Sequence, residues 1–201
     1  MKKLEEIFES IKKILDEKNE LREKIITKSR STIQLCGKYI KDIHRGKFQD
    51  MNQKIQDIKE KIFEIIQNID KNNLDLFYKG NLFVLFQEFT ELCIFYSIVA
   101  NDEIPSYKDL GVPIDAYLIG LCDVIGELRR FCLDSIRKDD IKNSERCLNY
   151  MNMLYESLVS LNYPNGLIPT LRHKIDVARV IVERTRGDVT IAWVMFKSRK
   201  N

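Results

Sequence analysis

A chain of 201 residues, 44% of them hydrophobic and 31% charged, is long enough to bury one sizeable core and too apolar to be disordered. Only 4 Pro and 8 Gly interrupt it, and no Pro/Gly/Ser-rich linker divides it. The expectation is one domain over residues 1–201, all-α in class. A formal net charge of +3 is too small to argue for a polyanion partner, so the placement of the charges matters more than their sum.

The N-terminus, MKKLEEIFESIKKIL, takes up charges at once and forms no signal-peptide apolar region. Residues 1 to about 46 read as one long helix, or two nearly end to end. Ile25, Ser29, Ile33, Cys36, Ile40 and Ile43 recur at spacings of three and four and form its inward stripe. From Arg22 to Lys47 eight basic residues stand against two acids, largely opposite that stripe. A solvated outer face is the plain reading of such a run, and a surface for an RNA backbone the sharper one.

Phe48 to about Asp70 predicts a second amphipathic helix with Met51, Ile55, Ile58, Ile62 and Ile65 buried. Lys71 to Leu74 reads as a turn, and a third helix then runs to about Ala100. Two prolines and a glycine make Asn101 to Pro113 a loop, and Pro113 can open the next helix, which continues through Arg137. A fifth helix reaches about Asn162, with Leu148, Met151, Leu154, Tyr155 and Leu158 inward. A sixth spans about Ile168 to Thr185, with Leu171, Ile175, Ala178 and Val182 inward. Arg186-Gly187-Asp188 looks like a break, after which Ile191, Trp193, Val194 and Phe196 are expected to dock on the body or on another subunit.

Two stretches stand out chemically. Leu82 to Ala100 carries only Glu88 and Glu91 as charges, and Tyr117 to Leu133 carries Asp123 and Glu127. Each pair is spaced three or four apart, on one helical face. Other carboxylate pairs, such as Glu5/Glu9, are surface pairs, and apolar surroundings rather than spacing set these four apart. Burying ionised carboxylates is costly, and several close together are driven to take up protons. A hard divalent cation resolves that conflict. A buried salt bridge with Arg129, Arg130 or the N-terminal lysines resolves it equally well, and pattern alone leaves both readings open. Glu88 and Glu91 also keep any charge-free run short of membrane-spanning length, so no membrane partner and a cytoplasmic location are expected. The five cysteines contain no Cys-x-x-Cys pair and read as small buried hydrophobes. His44 and His173 stand at no helical spacing from the acids that would suggest a di-iron site, and each reads as a polar surface or hydrogen-bonding residue.

The run PIDAYLIGLCDVIGELRRFCLDSI resembles the signature of the translin/Trax family, in which Pro, Asp and Tyr precede a leucine-glycine step and an Asp-x-x-Gly-Glu-Leu core. QEFTEL at 87–92 is similar to the Trax-type Glu-x-x-Glu element. LREKIITKSRSTIQLCGKYI and LRHKIDVARVIVERTRGD resemble the family's early and last helices more weakly. The resemblance implies an all-α, seven-helix subunit that assembles into a hollow homo-oligomer, commonly an octamer. It also implies a magnesium- or manganese-dependent endoribonuclease of the Trax type acting on single-stranded RNA, with single-stranded DNA as a further ligand. The family's acidic site falls on Glu88, Glu91, Asp123 and Glu127 as both metal ligands and catalytic residues. Lys28, Arg30 and Arg130 are candidate substrate contacts. The short loop at 101–113 is more like an archaeal member than an animal one. A translin-type protein that binds nucleic acid without cutting it, and an all-α nucleotide pyrophosphohydrolase, are the rival readings.

Overall fold

The computed structural model describes residues 2–67, 69, 78–100, 103–164 and 166–199. The expected turn at 71–74 lies outside the described residues. Among those described there are seven α-helices and no strand. They are α1 (Lys2–His44), α2 (Met51–Gln67), α3 (Phe83–Ala100), α4 (Tyr107–Leu110), α5 (Ile114–Arg137), α6 (Ile141–Val159) and α7 (Leu171–Ser198). A π turn, Tyr78–Leu82, leads into α3.

Helix α1 runs for 43 residues because nothing in it breaks an amphipathic pattern until Gly46, whose φ of +72° ends the run. Only its C-terminal half is covered. Ile25, Ser29, Thr32, Cys36, Ile40 and Ile43 are buried, with Ile33 half-buried, as the spacing predicts. Leu4, Ile7, Phe8, Ile11, Ile14 and Leu15 stay exposed, Phe8 at 63%. Helix α3 is apolar nearly all round, and 78% of its most apolar window is buried inside the bundle, which accounts for a composition that could otherwise cross a membrane.

Helix α5 is the centre, packed against α3, α6 and α7, while α1 packs on α3 and α2. The register of the contacts gives the directions. Gln87 meets Asp123 and, two turns on, Phe95 meets Phe131, so α3 and α5 run side by side the same way. Helix α7 runs with them, since Lys174 meets Asp123 and Thr185 meets Arg129. Helix α6 returns after a tight turn at Lys138–Asp140, and Asp140 caps it by accepting from the Asn143 N–H at 3.0 Å.

Two expectations needed correction. The loop at 101–113 contains the short α4, held by a capping box between Ser106 and Asp109 and closed by Gly111 at φ +69°. The break at Arg186-Gly187-Asp188 does not occur. Thr185 and Val189 are buried on either side of Gly187, and Asp188 pairs with Arg129 at 2.9 Å. Those contacts outweigh the roughly 1 kcal/mol that a helical glycine costs relative to alanine. Trp193 lines a surface recess with Glu145 and Leu148 of α6 but, like Ile191, Val194 and Met195 on the same helix end, is exposed.

Candidate active site

Gly120 brings the two acidic helices together. A Cβ at this position would stand 2.8 Å from Thr90 Cβ and 2.9 Å from the Gln87 carbonyl oxygen, so α5 lies directly on α3 here. One turn further along α5 comes Asp123, and one turn beyond that Glu127. On α3, Gln87, Glu88 and Glu91 lie within the same turn as Thr90.

The four acids have unequal surroundings. Glu91 is buried, and its carboxyl is pushed up to about 8, first by burial and then by the charges of Asp123, Glu88 and Glu127. Glu88 is also pushed up, by desolvation and then by Asp123, while Lys174 pulls it back. Asp123 has both oxygens engaged: Gln87 Nε2 donates to Oδ2 at 2.6 Å, and Lys174 Nζ, from the first turn of α7, donates to Oδ1. Glu127 accepts from His44 Nε2, at the C-terminal end of α1. The His44 ring is buried against Phe95, 4.9 Å between centroids, and Phe131. A carboxylate partner requires the proton on Nε2, and Nδ1 is buried with no partner. Cys36 of α1 completes the wall beside the glutamates. Burial raises its thiol far above the ordinary range, and the Glu88 charge adds to that.

Helices α1, α3, α5 and α7 thus converge on one cluster of four carboxylates, in which burial and the neighbouring acidic charges raise the proton affinity of Glu88 and Glu91. Among the described residues no three His, Cys, Asp or Glu side chains form a ready-made chelate, because Asp123 and Glu127 are directed to Lys174, Gln87 and His44 rather than to one another. The donor set itself, all oxygens and mutually repelling, fits a hard divalent cation. The salt-bridge partners foreseen in the sequence are displaced. Arg129 is committed to Asp188 and Thr185, Arg130 is exposed, and Lys174 is the cation that reaches the acids.

Lys28 and Arg30 are exposed, but they flank the buried Ser29 on α1 and so diverge to its two sides. Arg130 continues the stripe of Asp123 and Glu127 along α5, one turn beyond Glu127, and is exposed at the edge of the cluster. Sequence reasoning missed His44, Gln87 and Lys174. Gln87 carried a signal, four residues before Glu91 on the same face, whereas Lys174 is one base in a run of eight Lys/Arg between 172 and 200. His44 meets Glu127 from 83 residues away, which no local spacing encodes.

Comparison with known proteins bears on this site. The model of the translin family matches residues 4–186. An uncharacterized protein of Methanocaldococcus jannaschii is 36% identical over 191 residues, covering 93% of this chain and 83% of that protein. The translin-associated protein X homolog of Schizosaccharomyces pombe is 24% identical over 199 residues, 92% of this chain and 86% of that one. Among solved structures, AfC3PO is similar with a TM-score of 0.85 and 30% identity over 96% of this chain and 99% of its own. The complex of AfC3PO with duplex RNA gives a TM-score of 0.84 and 29% identity over 94% and 97%. Apo-NeC3PO, 22% identical over 92% and 96%, shares the fold at a TM-score of 0.81.

Proposed function

Since the chain belongs to the translin family, we propose that it is an RNA-binding member with a divalent-cation-dependent endoribonuclease site at Glu88, Glu91, Asp123 and Glu127. The observation that carries this reading is the convergence of α3 and α5 at Gly120, which gathers four carboxylates, and the Glu91 carboxyl among them is driven up to about 8 by burial and its neighbours. Isolated acids gain nothing from such company, whereas a shared cation offsets their repulsion.

The four acids would hold magnesium or manganese, which supplies Lewis acidity at a phosphoryl oxygen and a water activated for attack. Gln87 orients Asp123 and His44 orients Glu127, so two of the four donors are held by groups from other positions. Arg130, exposed one turn past Glu127, holds the phosphodiester at the edge of the cluster, and Lys28 and Arg30 bind the backbone farther out along α1. Binding of this kind weakens with salt and reads little sequence. RNA as the ligand class is supported by the similarity to AfC3PO, which was solved with duplex RNA. Single-stranded RNA is the substrate form suggested by the sequence resemblance, with single-stranded DNA as a further ligand, and the strand number is an arm of the test. The exposed apolar stripe on the first four turns of α1 supports assembly into a homo-oligomer, for which the sequence resemblance suggests an octamer.

The second reading, binding without turnover, is favoured by one observation: Asp123 and Glu127 are already satisfied by protein donors. End-labelled single-stranded and duplex RNA, each incubated with Mg2+, Mn2+ or chelator, separates the two. Internal cuts that need the cation and disappear in Glu127→Gln support the nuclease. Retained gel shift with no cutting under any cation establishes the binding protein.

A further inference from the structure

Among the described residues, Lys174 is the only lysine or arginine paired with one of the four acids. It contacts Asp123 directly, and its charge also lowers the proton affinity of Glu88 and Glu91. Its position is unfavourable on local grounds. Lys174 lies in the first turn of α7, where its N–H bonds the Thr170 carbonyl at 3.0 Å, and the positive end of a helix repels a cation. The acid cluster, not the helix, holds it there. Its side chain is one-third exposed and carries the ammonium on a flexible four-carbon stem, so it reaches Asp123 from the border of the cluster with solvent. Arg129 has no such freedom, being clamped between Thr185 and Asp188.

We propose that Lys174 is the built-in counter-ion of the cluster, that it competes with a divalent cation for Asp123, and that the ammonium released from Asp123 becomes a phosphate contact of the same site. The inference rests on the nuclease reading above. Gln87 holds Oδ2 of Asp123, so a cation that takes Oδ1 meets Lys174 there, and two positive charges on one carboxylate oxygen repel strongly where solvent is partly excluded. An ammonium freed from Asp123 stays on its stem beside the acids, within reach of a phosphate bound there. One residue then offsets part of the cluster's negative charge before the cation arrives and binds substrate afterwards, and it sets the cation concentration at which the site loads.

The sign of the effect on cation binding separates this role from a structural one. Isothermal titration of Mn2+ into wild type and Lys174→Met, in alkaline buffer so that protons compete little, is expected to show about ten-fold tighter binding in the variant, equivalent to about 1.4 kcal/mol. At saturating Mn2+ the same variant is expected to cut RNA at least about ten-fold more slowly, since the phosphate contact is gone. Should Lys174→Met fail to fold, Lys174→Gln keeps a hydrogen bond to Asp123 without the charge and reads the same two quantities. Mn2+ binding that is unchanged or weaker in the uncharged variant overturns the proposal while leaving the nuclease reading intact. No Mn2+ binding by either protein overturns both.

Discussion

Glu91 is the residue on which pH acts most directly. Below about pH 4.5 it is protonated in both folded and unfolded chains and contributes nothing. As pH rises from there to about 8, the unfolded chain gives up the proton while the folded chain keeps it, and above about 8 the folded chain bears the full cost of an ionised, crowded carboxylate. In chelator, Glu91→Gln is therefore expected to match wild type near pH 4.5 and to exceed it at pH 9 by on the order of a few kcal/mol, read as urea midpoints at the two pH values. Equal midpoints at pH 9 would mean that neither burial nor the neighbouring acids raise the Glu91 carboxyl. His44 makes the opposite case. His44→Leu leaves Glu127 without its buried donor and is expected to cost about 1–3 kcal/mol, with His44→Gln recovering part of it because an amide can still donate. None of this was legible locally. The acids stood out because Glu88, Glu91, Asp123 and Glu127 are the carboxylates in otherwise greasy runs, but their partners His44, Gln87 and Lys174 lie on α1, α3 and α7.

Elements were more legible than their ends. The inward stripes of α1, α2, α6 and α7 follow the apolar spacing, because burial on a helix repeats every three or four residues and local sequence carries that period. The stop after Thr185 was misread because glycine's intrinsic cost is local while the packing of Val189 and the Asp188–Arg129 pair is not. Two substitutions test this account. Gly187→Ala, with nothing within 4 Å of the added Cβ, is expected to stabilise by about 1 kcal/mol and raise Tm by roughly 2–4 °C. Gly120→Ala forces α3 and α5 apart and is expected to cost about 1–3 kcal/mol, lowering Tm by roughly 3–10 °C. If the acids hold Mn2+ as proposed, it is also expected to loosen that binding, because the acids separate with the helices. A Gly120→Ala protein of wild-type Tm and cation affinity would show that the close approach does not position the site.

At the scale of the whole molecule, the bundle leaves apolar surface uncovered at opposite ends. The first half of α1 extends beyond α2 and α3 with Leu4, Ile7, Phe8, Ile11, Ile14 and Leu15 in solvent, and α7 ends with Ile191, Val194 and Met195 exposed. A solitary helix of that length is marginal in water, so its order depends on another surface. Phe8→Asp with Ile11→Asp is expected to lower the mass found by light scattering to a smaller assembly and to reduce helical circular dichroism. An unchanged mass would place the subunit contact elsewhere. Enclosure of the acid clusters within such an assembly would act on substrate through access, so loss of assembly is expected to change which RNAs are cut before it changes the rate on a short strand.

The amino-acid sequence by itself determined the helical class, the buried faces and the four acids, since each of these follows from residue type and a short repeat along one helix. Only the tertiary structure decided that α3 and α5 meet at Gly120, that Gln87 and Lys174 divide Asp123 between them, and that His44 closes on Glu127. Those pairings join residues tens of positions apart, and their geometry is set by helix packing, which no single stretch of chain encodes.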